Sequence, residues 1–424
     1  MNARSTGAAL GMGALAIIIL SGAARAQDAG TPSCDDATMF PNPIVLTGST
    51  AFQPVIQAMA IKLKDRVAGD GSTTGAVTLI YQGAGSCVGA GSISGNTTLT
   101  GLGQYYTDVG AAGQHNCSFD TSAVNADGGS PITKSDVGIS DVFFETCGIG
   151  ARPANVADFP GPAQAMLFIV PTASQAPSTI TAEEAADVWG CGQNGHIVPW
   201  LVENAIQQRN GASGTQNVVA KSIGVMAGAF HGSTNGSGDL LVASLLNRTL
   251  YPDATTAIGF LAADTFDSKY RSTTRALAFR GSEQTLAYYA DSGAETFDKR
   301  NVRDGHYLAW GYEHLMAKVD SSGKPATVAA QNFIDWVQAN PNPANPPNFD
   351  PTQLQSVNHV IPLCAMKVQR KSDGGFLSPY TPADPCSCLF EASNNGGIAP
   401  TGCVACTTDA PCGTGTHCHH GYCE

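Results

Sequence analysis

Three short segments of this chain share one design. "LTGSTAFQP", "YQGAGSCVG" and "RNGASGTQN" each carry an extended, mostly apolar run into a tight turn of glycines and small hydroxyl residues. In the first and third, helical periodicity follows. After Thr50, residues Phe52, Val55, Ile56, Met59 and Leu63 fall on one helical face, with Pro54 tolerated in the first turn. After Thr215, residues Val218, Val219 and Ile223 recur at helical spacing. A helix beginning of this kind offers unpaired backbone N–H groups and a partial positive charge, which suit an anion. Gly214 lets the backbone come close, and Ser213 and Thr215 add hydroxyl donors. Taken alone, each such turn also reads as an ordinary capped helix.

The rest of the chain alternates in the same way. Ile44–Thr47, the run "VTLIYQ", "SDVGISDVFF" and the wholly apolar "AMLFIVPT" (165–172) read as strands, the last as a central buried one. "TTAIGFLAA" and "YLAWGY" add two short apolar strands. Thr181 and Glu184 form a capping box opening a helix, and Ala329, Phe333, Trp336 and Val337 mark an amphipathic helix over 327–338. Strands alternating with helices predict an α/β architecture, with ligand loops at the carboxyl ends of strands. Residues 88–134 are polar and Gly-rich and read as a long insertion. "NPNPANPPNFDP" is too rich in Pro and Asn for a regular element.

The first 26 residues have the form of a secretory signal: Arg4, an apolar core, and Ala24-Arg25-Ala26 before Gln27. The apolar core is short for a membrane span and no later segment approaches one, so the mature chain is expected to be exported and free of a span. Localisation is then periplasmic or at the cell surface. Net charge is −12 and becomes more negative once Arg4 and Arg25 leave with the signal, which disfavours nucleic acid and anionic membranes. A closed site can still hold a small anion through local dipoles. The 13 cysteines read as disulfides in an exported chain, and the odd count leaves at least one thiol over. Five cysteines and His417, His419 and His420 crowd the last 22 residues. Their spacings fit no standard zinc finger, so a small disulfide-stapled knot is expected there, with no metal. Cys364, Cys386 and Cys388 are placed to tie its start to the body.

The three turns, with "GISD" supplying a carboxylate after a fourth strand, make an ordered set of oxyanion-binding loops. In this set the chain resembles the periplasmic phosphate-binding proteins of ABC-type phosphate uptake, over about residues 44–338 and including "ITAEEAADVWG" and "TTAIGF". The resemblance implies two α/β lobes joined by crossover strands, with the ligand in the cleft between them and a small disulfide-rich tail added. It divides the chain into residues 38–165 and 303–365 for the first lobe, with 88–134 inserted, 166–302 for the second, and 366–424 for the tail. Residue by residue it assigns phosphate contacts to Thr50, Ala51, Ser86, Asp141, Arg209, Ser213, Gly214 and Thr215, and it implies a transporter permease as partner.

The roles make chemical sense. A desolvated oxyanion needs many aimed donors. Hydroxyls supply them at Thr50, Ser86, Ser213 and Thr215, backbone N–H groups at Ala51 and Gly214, and Arg209 adds a fork. Asp141 repels an anion unless the ligand itself carries a proton, as monohydrogen phosphate does and sulfate does not; such an acceptor discriminates by about 10⁴-fold or more. Asp141 is also expected to partner Arg209. No catalytic constellation and no cofactor motif is present, so no enzyme activity is expected. His196, His231, His306 and His314 stand alone, and Trp189, Trp200, Trp310, Tyr312 and Trp336 read as packing. Ala51 replaces a bulkier residue, and the insertion and tail depart from the family pattern. They leave a second reading, a surface or adhesion protein built on an inherited binding scaffold.

Overall fold

The computed structural model describes residues 31–69, 75–95, 97–119 and 134–424. The signal sequence and residues 120–133 of the insertion lie outside the described residues. Strand β1 (Ile44–Gly48) is buried along its whole length, as a continuous apolar run requires when both sheet faces are covered. It pairs in parallel with β2 (Leu79–Gln82) on one side and β5 (Val137–Ser140) on the other. Between β1 and β2 runs α1 (Gln53–Lys64), whose Val55, Ile56, Met59 and Leu63 are buried and whose Pro54 sits in the first turn.

The insertion adds ordered structure to this sheet. Strands β3 (Gly101–Tyr106) and β4 (Gln114–Phe119) form an antiparallel ribbon at the sheet's edge, and Cys117 in β4 is bonded to Cys34. Its first part is a helix, α2 (Ser86–Ser94), that the Gly- and Ser-rich sequence does not announce. Glycine has poor helix propensity, but the backbone contact here needs it. A Cβ at Gly89 would lie 2.6–2.8 Å from Ile139 O, Gly48 Cα and Thr47 O. Tertiary packing therefore overrides propensity, and the Cys87–Cys147 disulfide fastens the helix to the loop after β5.

Strand β6 (Val156–Pro171) is longer than its apolar centre suggests, and it carries the chain between two hydrophobic cores. Its first half faces the strand Trp310–Lys318, with Lys318 opposite Val156 and Trp310 opposite Ala165. Its second half pairs antiparallel with Gly259–Ala262. Ala163 and the residues 165–170 pack in one core with Trp189, Phe260 and Trp310, whereas Phe159 packs in the other with Leu46, Leu315 and Phe333. The strand at Trp310–Lys318 makes the same passage, since Trp310 and Tyr312 belong to the first core and Leu315 and Ala317 to the second. It starts later and runs further than "YLAWGY" indicates. A nine-stranded sheet results, with Trp310–Lys318 inserted between β6 and β5.

Helix α3 (Ala182–Cys191) opens with the capping box: Glu184 N–H donates to Thr181 Oγ1 at 3.1 Å, and Thr181 N–H to Glu184 Oε2 at 2.9 Å. Two further helices matter below, α4 (Gly214–Ile223) and α5 (Gly238–Leu245). The helix Val328–Val337 buries Ala330, Phe333, Ile334, Trp336 and Val337, and Ala329 packs partly buried against the same core, so Ala330 and Ile334 widen the predicted face. All four tryptophans are buried.

Six disulfides form and Cys191 is the one free thiol. Cys364–Cys386 ties the tail to the body, and Cys388–Cys403, Cys406–Cys418 and Cys412–Cys423 staple it internally. The sulfurs of Cys406, Cys412 and Cys423 cluster, but each is committed to a disulfide. The side chain of Glu424 caps the helix Ser387–Asn394, accepting from the N–H groups of Ser387 and Cys388 at 2.9 and 2.7 Å. Upstream, Arg370 lies 3.9 Å over the Trp310 ring and donates to the carbonyls of Trp310 and Leu308. No helix among the described residues is long and apolar enough to cross a membrane.

Candidate functional site

The loops that follow β1, β2 and β5 lie at one end of the sheet, because parallel neighbours turn at the same edge. The start of α4 meets them from the other core. Three contacts define the meeting. Arg209 Nη2 donates to Thr50 Oγ1 at 3.3 Å. Gly214 is pressed against the opposite pair: a Cβ there would overlap Ser86 Oγ and lie 2.6 Å from Asp141 Oδ2. Gly85 and Cys87 meet the same segment through Ala212, whose carbonyl accepts from Cys87 N–H at 3.2 Å.

The eight sequence-selected residues divide into two groups. Thr50, Ala51, Arg209 and Thr215 line a cavity of about 380 Å³, together with Gln53, Ser237, Asp239 and Lys269. Ser86, Asp141, Ser213 and Gly214 are not part of that lining, and Ser86, Asp141 and Ser213 are only 1–3% exposed. Ser213 is the N-cap of α4, and its Oγ accepts from Gln216 N–H at 3.4 Å. The Ala51 N–H is already engaged, donating to Ser49 Oγ at 3.1 Å. Ser86 Oγ accepts from Asp141 N–H at 3.2 Å.

Arg209 and Asp141 do not form the direct pair that their chemistry suggests. Arg209 Nε and Nη2 donate to the carbonyls of Asn235 and Gly236 at 3.3 and 3.1 Å, at the approach to α5. Those carbonyls orient the guanidinium toward Thr50 and leave it coupled to Asp141 only through space. Burial lowers the Arg209 pKa from its ordinary value, opposed by the charges of Asp141 and Asp239.

Asp141 is instead held by groups that the sequence does not single out. The Ser49 hydroxyl donates to Asp141 Oδ1, and the Tyr81 hydroxyl donates to the Ser49 carbonyl and braces the turn. Glu313, on the crossover strand Trp310–Lys318, stands beside Asp141, one step along the register that sets His314 opposite Ser140, and among the described residues neither Glu313 oxygen has a hydrogen-bond partner. The contact is therefore carboxyl to carboxyl, a hydrogen bond only when one member is protonated. Asp264 is the third acid of the group, 1% exposed, with no hydrogen-bond partner for Oδ2 among the described residues.

Burial dominates all three acids and raises each. For Asp141, hydrogen bonds from Ser49 and Glu313, the Arg209 charge and a bond from Ser86 oppose the rise. Glu313 lies well above the usual carboxylate range through burial, then through the charges of Asp141 and Asp264. Asp264 is pushed up to about 7. An acid inside an otherwise apolar strand ("WGYEHL") is the one sequence signal that points to Glu313.

The histidines set aside as solitary are partly engaged. His314 is buried, with Nδ1 2.8 Å from Asp158 Oδ2, and His231 Nδ1 lies 3.2 Å from Glu203. His314 lies at the wall of a separate cavity of about 340 Å³, bounded by Phe143, Tyr312 and Arg370.

No family model matches the chain, and no curated protein is similar to it in sequence. Among solved structures, it is similar to an ABC-type phosphate transport receptor from Vibrio cholerae at 14% identity, over 75% of this chain and 99% of that one, with a TM-score of 0.45. It is similar to a high-affinity periplasmic phosphate-binding protein, PfluDING, at 12% identity over 76% and 90%, with a TM-score of 0.41. It is also similar to the OxyR regulatory domain of Pseudomonas aeruginosa at 9% identity over 69% and 96%, with a TM-score of 0.36. At this level of likeness neither ligand nor partner transfers.

Proposed function

We propose that this chain is an extracytoplasmic solute-binding protein that holds monohydrogen phosphate between its two cores and delivers it to an ABC-type permease, without catalytic turnover. The observation that carries the reading is convergence. Thr50, Ser86, Asp141 and the 209–215 segment, far apart in sequence, meet at one place and bring hydroxyls, one guanidinium, a helix N-terminus and a single acceptor carboxylate with them. The donors suit a desolvated oxyanion, and Asp141 suits one that carries a proton. The cores would act as lobes, 38–165 with 303–365 and 166–302, that hinge on β6 and the Trp310–Lys318 strand and open the Gly214–Asp141 contact to admit the ligand.

Calorimetric titration of the anion-stripped protein with phosphate and with sulfate tests the reading, repeated on Asp141→Asn. Tight phosphate binding, no sulfate response, and weakened binding or relaxed discrimination in the variant are expected. Silence toward phosphate in the wild type would sink it.

A further inference from the structure

Charge counting around Asp141 leads one step beyond the donor set. Asp141, Asp264 and Glu313 are at most 2% exposed, and the cation that acts on Asp141, Arg209, is 5% exposed. Three ionised carboxylates against one guanidinium would leave uncompensated negative charge in a nearly dry region, so the group must hold at least one proton. The geometry says where. Asp141 receives the Ser49 hydroxyl hydrogen, is tied to Ser86 Oγ through its own N–H, and feels Arg209. Among the described residues Glu313 has no hydrogen-bond donor at either oxygen; its strand register sets it beside Asp141, and the charges that act on it are those of Asp141 and of Asp264 in the short helix Ala263–Thr265, while Tyr81 on β2 feels it in turn. The proton belongs on the carboxyl without donors.

We propose that Glu313 is the positioning residue of this site: it carries a proton and donates it as a hydrogen bond to Asp141, which keeps Asp141 an anion and an acceptor for the proton of monohydrogen phosphate. The proposal rests on the phosphate reading and assigns its selectivity to a residue outside the binding loops. Without the Glu313 hydrogen bond, Asp141 has fewer donors to stabilise its charge and takes up the proton itself. A protonated Asp141 donates where it formerly accepted, and so favours sulfate over a ligand that must give a proton. Glu313→Gln keeps a donor, the amide N–H, and cannot titrate. Glu313→Met keeps the bulk and removes the donor.

Two measurements on the full chain test this. Infrared difference spectra of the ligand-free protein at neutral pH should show a protonated-carboxyl band in the wild type that Glu313→Gln lacks. Calorimetry should find phosphate affinity and sulfate rejection retained in Glu313→Gln. Glu313→Met should bind phosphate roughly 10- to 100-fold more weakly, as loss of a hydrogen bond to a charged group implies, and should acquire measurable sulfate binding. A band unchanged in Glu313→Gln, or a Glu313→Met protein that matches the wild type toward both anions, overturns the proposal. Failure of the wild type to bind phosphate refutes the phosphate reading by itself, and the infrared band still decides whether Glu313 holds the proton.

Discussion

Adding one methyl group at Gly214 tests whether the contact between the start of α4 and the Ser86–Asp141 pair is as tight as the structure has it. The new Cβ would overlap Ser86 Oγ and lie 2.6 Å from Asp141 Oδ2 and 2.7 Å from Asp141 Cβ. Ordinary contacts at carbon are near 3.5–4 Å, so the helix end or the Asp141 loop must retreat by roughly 1 Å. Overpacking of this kind costs about 1–3 kcal/mol. The helix propensity gained by exchanging Gly for Ala returns about 0.5–1 kcal/mol, which leaves a net destabilisation of up to about 2.5 kcal/mol. Donors moved by that distance no longer converge on one oxyanion, and a loss of 1–3 kcal/mol in binding is roughly a 5- to 150-fold rise in Kd for phosphate. The control is Gly91→Ala in α2, where the nearest heavy atom to the new methyl, Ile149 Cδ1, is 3.9 Å away. That variant should be as stable as the wild type or slightly more so, with phosphate affinity unchanged. Denaturant unfolding and calorimetry on the two variants suffice. If Gly214→Ala equals Gly91→Ala in both, the contact is loose and the reasoning about a closed site is wrong.

Other expectations are more local. Arg209→Lys removes the fork that reaches Thr50 and the carbonyls of Asn235 and Gly236, and Lys is no substitute at such a position; titration should show phosphate affinity lower by about 10- to 100-fold. Asp264 has its pKa pushed up from 3.8 to about 7 in the folded state by burial, so the folded protein binds that proton more tightly than the unfolded chain does. Its contribution is fully present below about pH 4 and is lost as pH rises through 7. Asp264→Asn should therefore be more stable than the wild type at pH 8, by up to a few kcal/mol, with the gap closing toward pH 4 in urea melts. Thiol titration of the unreduced, denatured chain should find one equivalent, at Cys191, and a second would refute the disulfide assignment.

The features legible in the sequence are those that local chemistry decides. Thr181 and Glu184 lie three residues apart and satisfy each other's backbone partners, so the start of α3 can be read without its neighbours. The faces of α1 and α4 are set by spacing within one helix. Helix α2 was opaque because the reason for its glycines lies across the fold: Gly89 is needed by Gly48 and Ile139, residues more than forty positions away. The acids beneath the binding loops are the harder case. The apolar neighbours of Glu313 hint at its burial, but nothing near it in sequence brings it to Asp141. Its burial follows from the insertion of Trp310–Lys318 between β6 and β5, strands from much earlier in the chain. The same strand carries the chain from one core to the other. Any rearrangement of the two cores about this crossover must therefore move, or strain against, the carboxyl that faces Asp141. The proton on Glu313 and the closure of the lobes are thus expected to be linked, and phosphate binding should take up or release protons in proportion to how far Glu313 shifts against Asp141. Calorimetry in buffers of different ionisation enthalpy measures that number; a value that is the same for wild type and Glu313→Gln would separate the two events and confine Glu313 to a static role.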